Sequence, residues 1–235
     1  MLLDALDAAA DPLTSHMPDG GPLYTETDPA RLLVEPLNAA TALAFLVLVV
    51  IWALRLRGSY GRYPFLSGCL PVLAVGGIGG TVYHAFRASA LFLVMDFVPI
   101  YLLGLAVTVY LWARIRPRWW HLALAAAATA LALGLGRGLP RHYGITLSYA
   151  SLGFLILVPT AVLLVRTRFR DAGLIGLALG SFGLALFFRF ADAWRPPLLP
   201  VGTHWLWHLF GAGTTAALME YLYRLRNATL AEAAT

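Results

Sequence analysis

Four residues whose types could do chemistry stand inside otherwise apolar stretches: His84, Asp96, His204 and His208. His204 and His208, in the run Thr-His-Trp-Leu-Trp-His, are four apart. On a helix that spacing puts both imidazoles on one face, one turn apart, as two ligands of one zinc ion require. His84, brought over from another helix, would be the third. Three neutral imidazoles leave a fourth position open, the arrangement of catalytic zinc, where bound water acquires a pKa near ~7 and becomes a nucleophile. Asp96 could accept that water's proton or orient a ligand. A bland reading competes with this one, because a His pair near a membrane interface can be structural, and Trp205 and Trp207 suit an interfacial belt equally well. His16, His121 and His142 lie in the head or near loops and are not expected to join the metal.

A second cluster is acidic: Glu26, Asp28 and Glu35, with Asn38 one turn into the next helix. Oxygen ligands of this kind suit calcium. Alternation in an extended loop points Glu26 and Asp28 the same way, and Glu35 would close the cage from the helix start. Glu35 at a helix N-terminus also simply complements the helix dipole, so both readings stand.

The elements that must position these residues follow from composition. Of 235 residues, 60% are hydrophobic and only 12% charged, with a mean hydropathy of +0.73, an apolar excess too large for one soluble core. Spanning a ~30 Å hydrocarbon layer takes about 20 residues per helix. Seven apolar segments are expected at roughly 36–55, 65–86, 90–113, 119–136, 144–165, 172–190 and 202–223. They divide the chain into an extramembrane head (1–30), a seven-helix transmembrane domain (31–226) and a cytoplasmic tail (227–235). The fold class is therefore an all-α integral membrane bundle. The head lacks the basic and long apolar regions of a signal peptide.

All 17 basic residues are arginine. Without lysine no retinal Schiff base can form, which excludes a light-driven pump. Eleven arginines (55, 57, 62, 114, 116, 118, 166, 168, 170, 224, 226) fall on one side of the expected membrane and six (31, 87, 137, 141, 189, 195) on the other. The positive-inside bias then puts the N-terminus outside and the C-terminus in the cytoplasm. The net charge of +5 is read as topology rather than as a nucleic-acid surface. Cys69 is the only cysteine, so neither a disulfide framework nor a thiolate zinc site can be built. In this topology His84, Asp96, His204 and His208 all reach the outer end of the bundle, and each polar group within a span is a functional-site hypothesis.

At these residues the sequence resembles the alkaline ceramidase family, within the superfamily of seven-helix hydrolases that includes the adiponectin and progestin receptors. Three segments carry the resemblance. Tyr24-Thr25-Glu26-Thr27-Asp28 with Glu35-Pro36-Leu37-Asn38 looks like the family's calcium-ligand segment, implying Glu26, Asp28 and Glu35, with Asp19 as a further ligand. The second is Gly77-Ile78-Gly79-Gly80-Thr81-Val82-Tyr83-His84, continuing to Asp96-Phe97-Val98-Pro99-Ile100, and the third is His204 to His208. The family has a serine four residues before the histidine. Gly80 stands there in this chain, and Thr81 is the nearby hydroxyl to which the role would fall.

The resemblance implies a zinc-dependent amidase that cleaves the N-acyl bond of ceramide or a related membrane lipid, with Asp96 as general base and Thr81 as oxyanion donor, and with calcium in the head. The rival from another class is a non-enzymatic receptor or membrane sensor that keeps zinc as a structural staple. A transporter is disfavoured, since no paired broken helices are evident. Short loops point to a bacterial inner membrane, with the site toward the non-cytoplasmic leaflet.

Overall fold

The computed structural model describes Met17 and residues 19–116, 118–136, 138–139 and 141–232. Within them the chain forms seven α-helices and no strand: α1 (Pro36–Leu56), α2 (Pro64–Phe86), α3 (Ala90–Ile115), α4 (Trp119–Gly136), α5 (Arg141–Arg166), α6 (Ala172–Ala191) and α7 (His204–Glu232), with one 3-10 turn at Tyr60–Arg62. These lie close to the seven apolar segments read from the sequence, except that α7 runs nine residues past the expected end at 223. Leucine and alanine supply helix propensity, and where valine weakens it the need to satisfy every backbone polar group within lipid keeps the runs helical. Pro36 and Pro64 occupy first turns, where their missing N–H costs nothing. Ser89 caps α3 by accepting from the Leu91 N–H at 3.2 Å.

Five helices, α1, α2, α3, α6 and the Tyr143–Arg166 part of α5, are long and apolar enough to cross a membrane. The described apolar run of α4, Trp119–Leu131, is shorter, and α7 carries Glu220 and Arg224 in its second half. The exposed side chains agree with a lipid environment. On α1, Leu43, Val47, Val50 and Leu54 face outward at helical spacing while Asn38, Ala39, Ala42 and Trp52 are buried. The pattern is that of a helical membrane protein, apolar outside as well as inside.

Packing arranges six helices in a closed ring, α1 against α2, α2 against α3, α3 against α5, α5 against α6, α6 against α7 and α7 back against α1. Helix α4 stands outside the ring on α5. The ring encloses an almost wholly apolar cavity of about 220 Å³. At one end of the bundle, aliphatic and aromatic residues including Trp52, Leu56, Leu66, Leu111, Trp112, Leu222 and Leu225 pack as one core. Three arginines of that end are tied down around it: Arg55 to Glu220, Arg224 to Asp171 and Glu220, and Arg166 to the Ile115 carbonyl. The opposite end is polar and holds the candidate site.

Glycines set how closely the helices approach. A Cβ on Gly79 would lie 2.3 Å from Met95 Cβ and 2.6 Å from its carbonyl carbon, so α2 and α3 touch at the backbone, as small-residue interfaces in lipid allow.

Candidate metal centre

His84 comes from the last turns of α2, and His204 and His208 from the first turns of α7, and all three are buried. The ring of helices closes these ends together. The three imidazoles each offer a nitrogen within 4.8 Å of the others, and among the described residues this is the one such group of metal-ligating side chains. Ring centroids are 4.8 Å apart for His84 and His208, 4.9 Å for His204 and His208, and 5.3 Å for His84 and His204.

Hydrogen bonds fix which nitrogens are left over. Glu35 Oε2 accepts from His84 Nδ1, so the His84 lone pair lies on Nε2, which is buried and has no protein partner. The Thr41 hydroxyl donates to the Leu37 carbonyl at 2.7 Å, leaving its oxygen to accept from His208 Nδ1 at 3.1 Å. His204 Nδ1 is likewise buried without a partner. Orphaned ring nitrogens facing one another are costly unless something binds them. An imidazole set with carboxylate and hydroxyl partners on the far nitrogens suits zinc.

The acidic residues take parts that the sequence reading did not foresee. Arg87, at the C-terminus of α2 with φ of +50°, inserts a fully buried guanidinium between Asp19 and Glu35. It meets both Asp19 oxygens, at 2.7 and 3.1 Å, and Glu35 Oε1. Glu26 accepts from the Leu37 and Asn38 N–H groups and so caps α1 from a distance. Asp28 is at the surface, paired with Arg31 at 2.9 Å. The four expected calcium ligands therefore do not converge on one cage. Asp19 and Glu35 share an arginine, Glu26 holds backbone donors, and Asp28 faces away from all three roles. Burial alone would raise the Glu35 carboxyl, but the adjoining His84 and Arg87 outweigh it and hold it below the usual range. For Glu26 burial prevails over its two N–H partners and pushes the carboxyl up.

Asp96, on α3, lines the cavity together with His208. A Cβ on Gly80 would lie 2.5 Å from Asp96 Oδ1, so the carboxylate occupies the space a serine side chain would need. Thr81 does not replace that serine: its hydroxyl donates to the Gly77 carbonyl of its own helix at 2.7 Å, and Thr81 is not part of the cavity wall. A threonine whose donor is spent on the preceding turn has none left for a substrate oxygen.

Two contributors were not singled out from the sequence. Asp192, just past α6, accepts from the N–H groups of Thr203 (2.6 Å), His204 (3.1 Å) and Thr25 (3.0 Å). It caps α7 where the histidine pair begins and staples the head loop to it. Burial pushes its carboxyl up despite the three donors. Gly202 makes room, since a Cβ there would lie 2.4 Å from Asp192 Oδ1, and its φ of +78° suits glycine. Tyr24 stacks on His204 at 3.8 Å between ring centroids, covering the site from the head. Asp192 lies 12 residues before the start of α7, so no local capping signal marked it. Nothing local marked Tyr24.

No family model, curated protein or solved structure matches this chain. The reading of the site rests on its own residues, and these form a buried three-imidazole cluster with the Asp96 carboxylate beside it in the wall of an apolar cavity.

Proposed function

We propose that the protein is a zinc-dependent lipid amide hydrolase, similar to the alkaline ceramidases, embedded in a membrane through seven spans with its head outside the cytoplasm. The observation that carries this reading is Asp96. Among the described residues this acid makes no ion pair, and it is set in the wall of the same apolar cavity as His208, one of the three gathered imidazoles.

Zinc held by His84, His204 and His208 would supply Lewis acidity, polarising an amide carbonyl and acidifying water. Asp96 accepts the proton of the attacking water and returns it to the departing amine nitrogen. Glu35 and Thr41 hold His84 and His208 in the tautomers that leave Nε2 available. The apolar cavity seats an acyl chain, which reaches it sideways between helices. Arginines gathered at the end opposite the site support a cytoplasmic placement of that end, with the site toward the outer leaflet of a bacterial inner membrane.

A receptor or sensor with a structural zinc is the second reading, favoured by one observation: Thr81 is committed to Gly77, so no side-chain hydroxyl at Gly80 or Thr81 faces a substrate oxygen.

Protein purified in detergent tests both. Near-stoichiometric zinc by elemental analysis, lost in His204→Ala, together with metal-dependent fatty acid release from ceramide that Asp96→Asn abolishes, is the expected result. Zinc without turnover on ceramide or other lipid amides would favour the receptor. Absence of zinc would sink the site.

A further inference from the structure

Three helices mark where the apolar cavity begins and where it ends. Its wall runs from Asp96 to Val107 on α3, from Tyr149 to Thr160 on α5 and from His208 to Leu222 on α7. At about 1.5 Å of rise per residue these stretches span about 16–17 Å on α3 and α5 and about 21 Å on α7. One turn further on stand Leu111, Leu163 and Leu225, which are buried in the carbon core and are not part of the wall. The cavity thus starts beside the imidazole cluster and stops on an apolar floor. A volume of about 220 Å³ drawn out over such a length is no wider than one alkyl chain.

The sides are as plain as the floor. Thr160, Thr214 and Thr215 lie in the wall, but their hydroxyls donate to the Ile156, Phe210 and Gly211 carbonyls of their own helices at 2.6, 2.9 and 2.9 Å. None of the three has a donor left for a polar group on a tail. A tail that enters leaves lipid already as apolar as this wall, so transfer contributes little and fit decides. A short tail leaves part of the wall without partner atoms, and an over-long one meets close-packed side chains.

An extended alkyl chain, with C–C bonds of about 1.5 Å at tetrahedral angles, advances about 1.25 Å per carbon. The wall therefore has room for about 13 carbons by the measure of α3 and α5 and about 17 by that of α7. We propose that the cavity is a length gauge: it takes one unbranched, unsubstituted acyl chain of up to about 16 carbons, and Leu111, Leu163 and Leu225 stop longer ones. The gauge rests on the acyl-chain seat proposed above and adds which chains that seat accepts. Folding back offers a longer chain no escape, since the width admits a single strand.

The test is titration of the full-length protein in detergent with dodecanol, tetradecanol, hexadecanol, eicosanol and docosanol at matched mole fraction in the micelle. These probes have no amide to hydrolyse, so length is read apart from turnover. Binding should be tightest for tetradecanol or hexadecanol and at least ten-fold weaker for eicosanol and docosanol. Leu111→Ala lowers the floor and should restore part of the eicosanol binding. Val107→Phe fills the lowest turn of the wall, leaves the floor intact, and should move the optimum down to dodecanol. Affinity that stays flat or keeps rising from hexadecanol to docosanol overturns the gauge, because the tail then leaves the ring sideways. So does a cut-off that Val107→Phe leaves in place. A cut-off in a protein that releases no fatty acid from any lipid amide keeps the gauge and fails the hydrolase, and fatty acid release with no cut-off does the reverse.

Discussion

The two ends of the helix ring are equally buried and are held in opposite ways. At one end Trp52, Leu56, Leu66, Leu111 and Leu222 fill space with carbon, and neighbouring side chains can absorb small changes in shape. At the other, Asp19, Arg87, Glu35 and His84 form a single file in which each polar group satisfies the next. A polar file tolerates no deletion, because every removal strands a neighbour. The apolar end supplies stability. The polar end couples stability to the placement of a candidate metal ligand, His84.

Three substitutions separate these contributions. Arg87→Met leaves two buried carboxylates without a counter-charge and frees Glu35 to drift from His84. It should cost about 3–5 kcal/mol of stability and lower zinc content as well, read by thermal unfolding in detergent beside elemental analysis. Leu56→Ala, at a side chain with no exposure, should cost about 2–5 kcal/mol by opening a cavity, with zinc content unchanged in the folded fraction. Loss of zinc there would mean that the two ends are not independent. Thr41→Val nearly keeps the volume and removes the acceptor for His208 Nδ1 together with the hydroxyl's own bond to the Leu37 carbonyl. Zinc affinity should fall about 10-fold, measured by competition with a chelator, with little change in melting temperature.

Much of this was legible beforehand because its signals are local. The helices follow from apolar runs of membrane length. The histidine pair follows from a spacing of four, and His84 and Asp96 from being ionisable inside such runs. Helix α7 was cut short because its last turns, from Arg224 onward, are polar, and hydropathy marks what suits lipid rather than where a helix stops. The acids were misassigned for a different reason. Carboxylates spaced along a loop suggest a cation but do not say which, and the cation that Asp19 and Glu35 found was the side chain of Arg87, 68 and 52 residues away. Asp192 reaches Thr25 across 167 positions, a pairing that only the closed ring creates. The Gly80 departure reads differently in three dimensions too, since the missing side chain is what lets Asp96 lean against α2.

Closure of the ring by α7 against α1 also sets an order of events during synthesis. His84 leaves the ribosome more than a hundred residues before His204, so through most of elongation the Asp19–Arg87–Glu35–His84 file can be complete while it presents a single imidazole. The fourth and fifth walls of the cavity, α5 and α6, arrive without any of the three imidazoles. Only when α7 is inserted and docks between α6 and α1 do three nitrogens face one another. On the zinc reading proposed above, metal capture would be a terminal step of assembly, because a chain that lacks α7 carries only one of the three imidazoles.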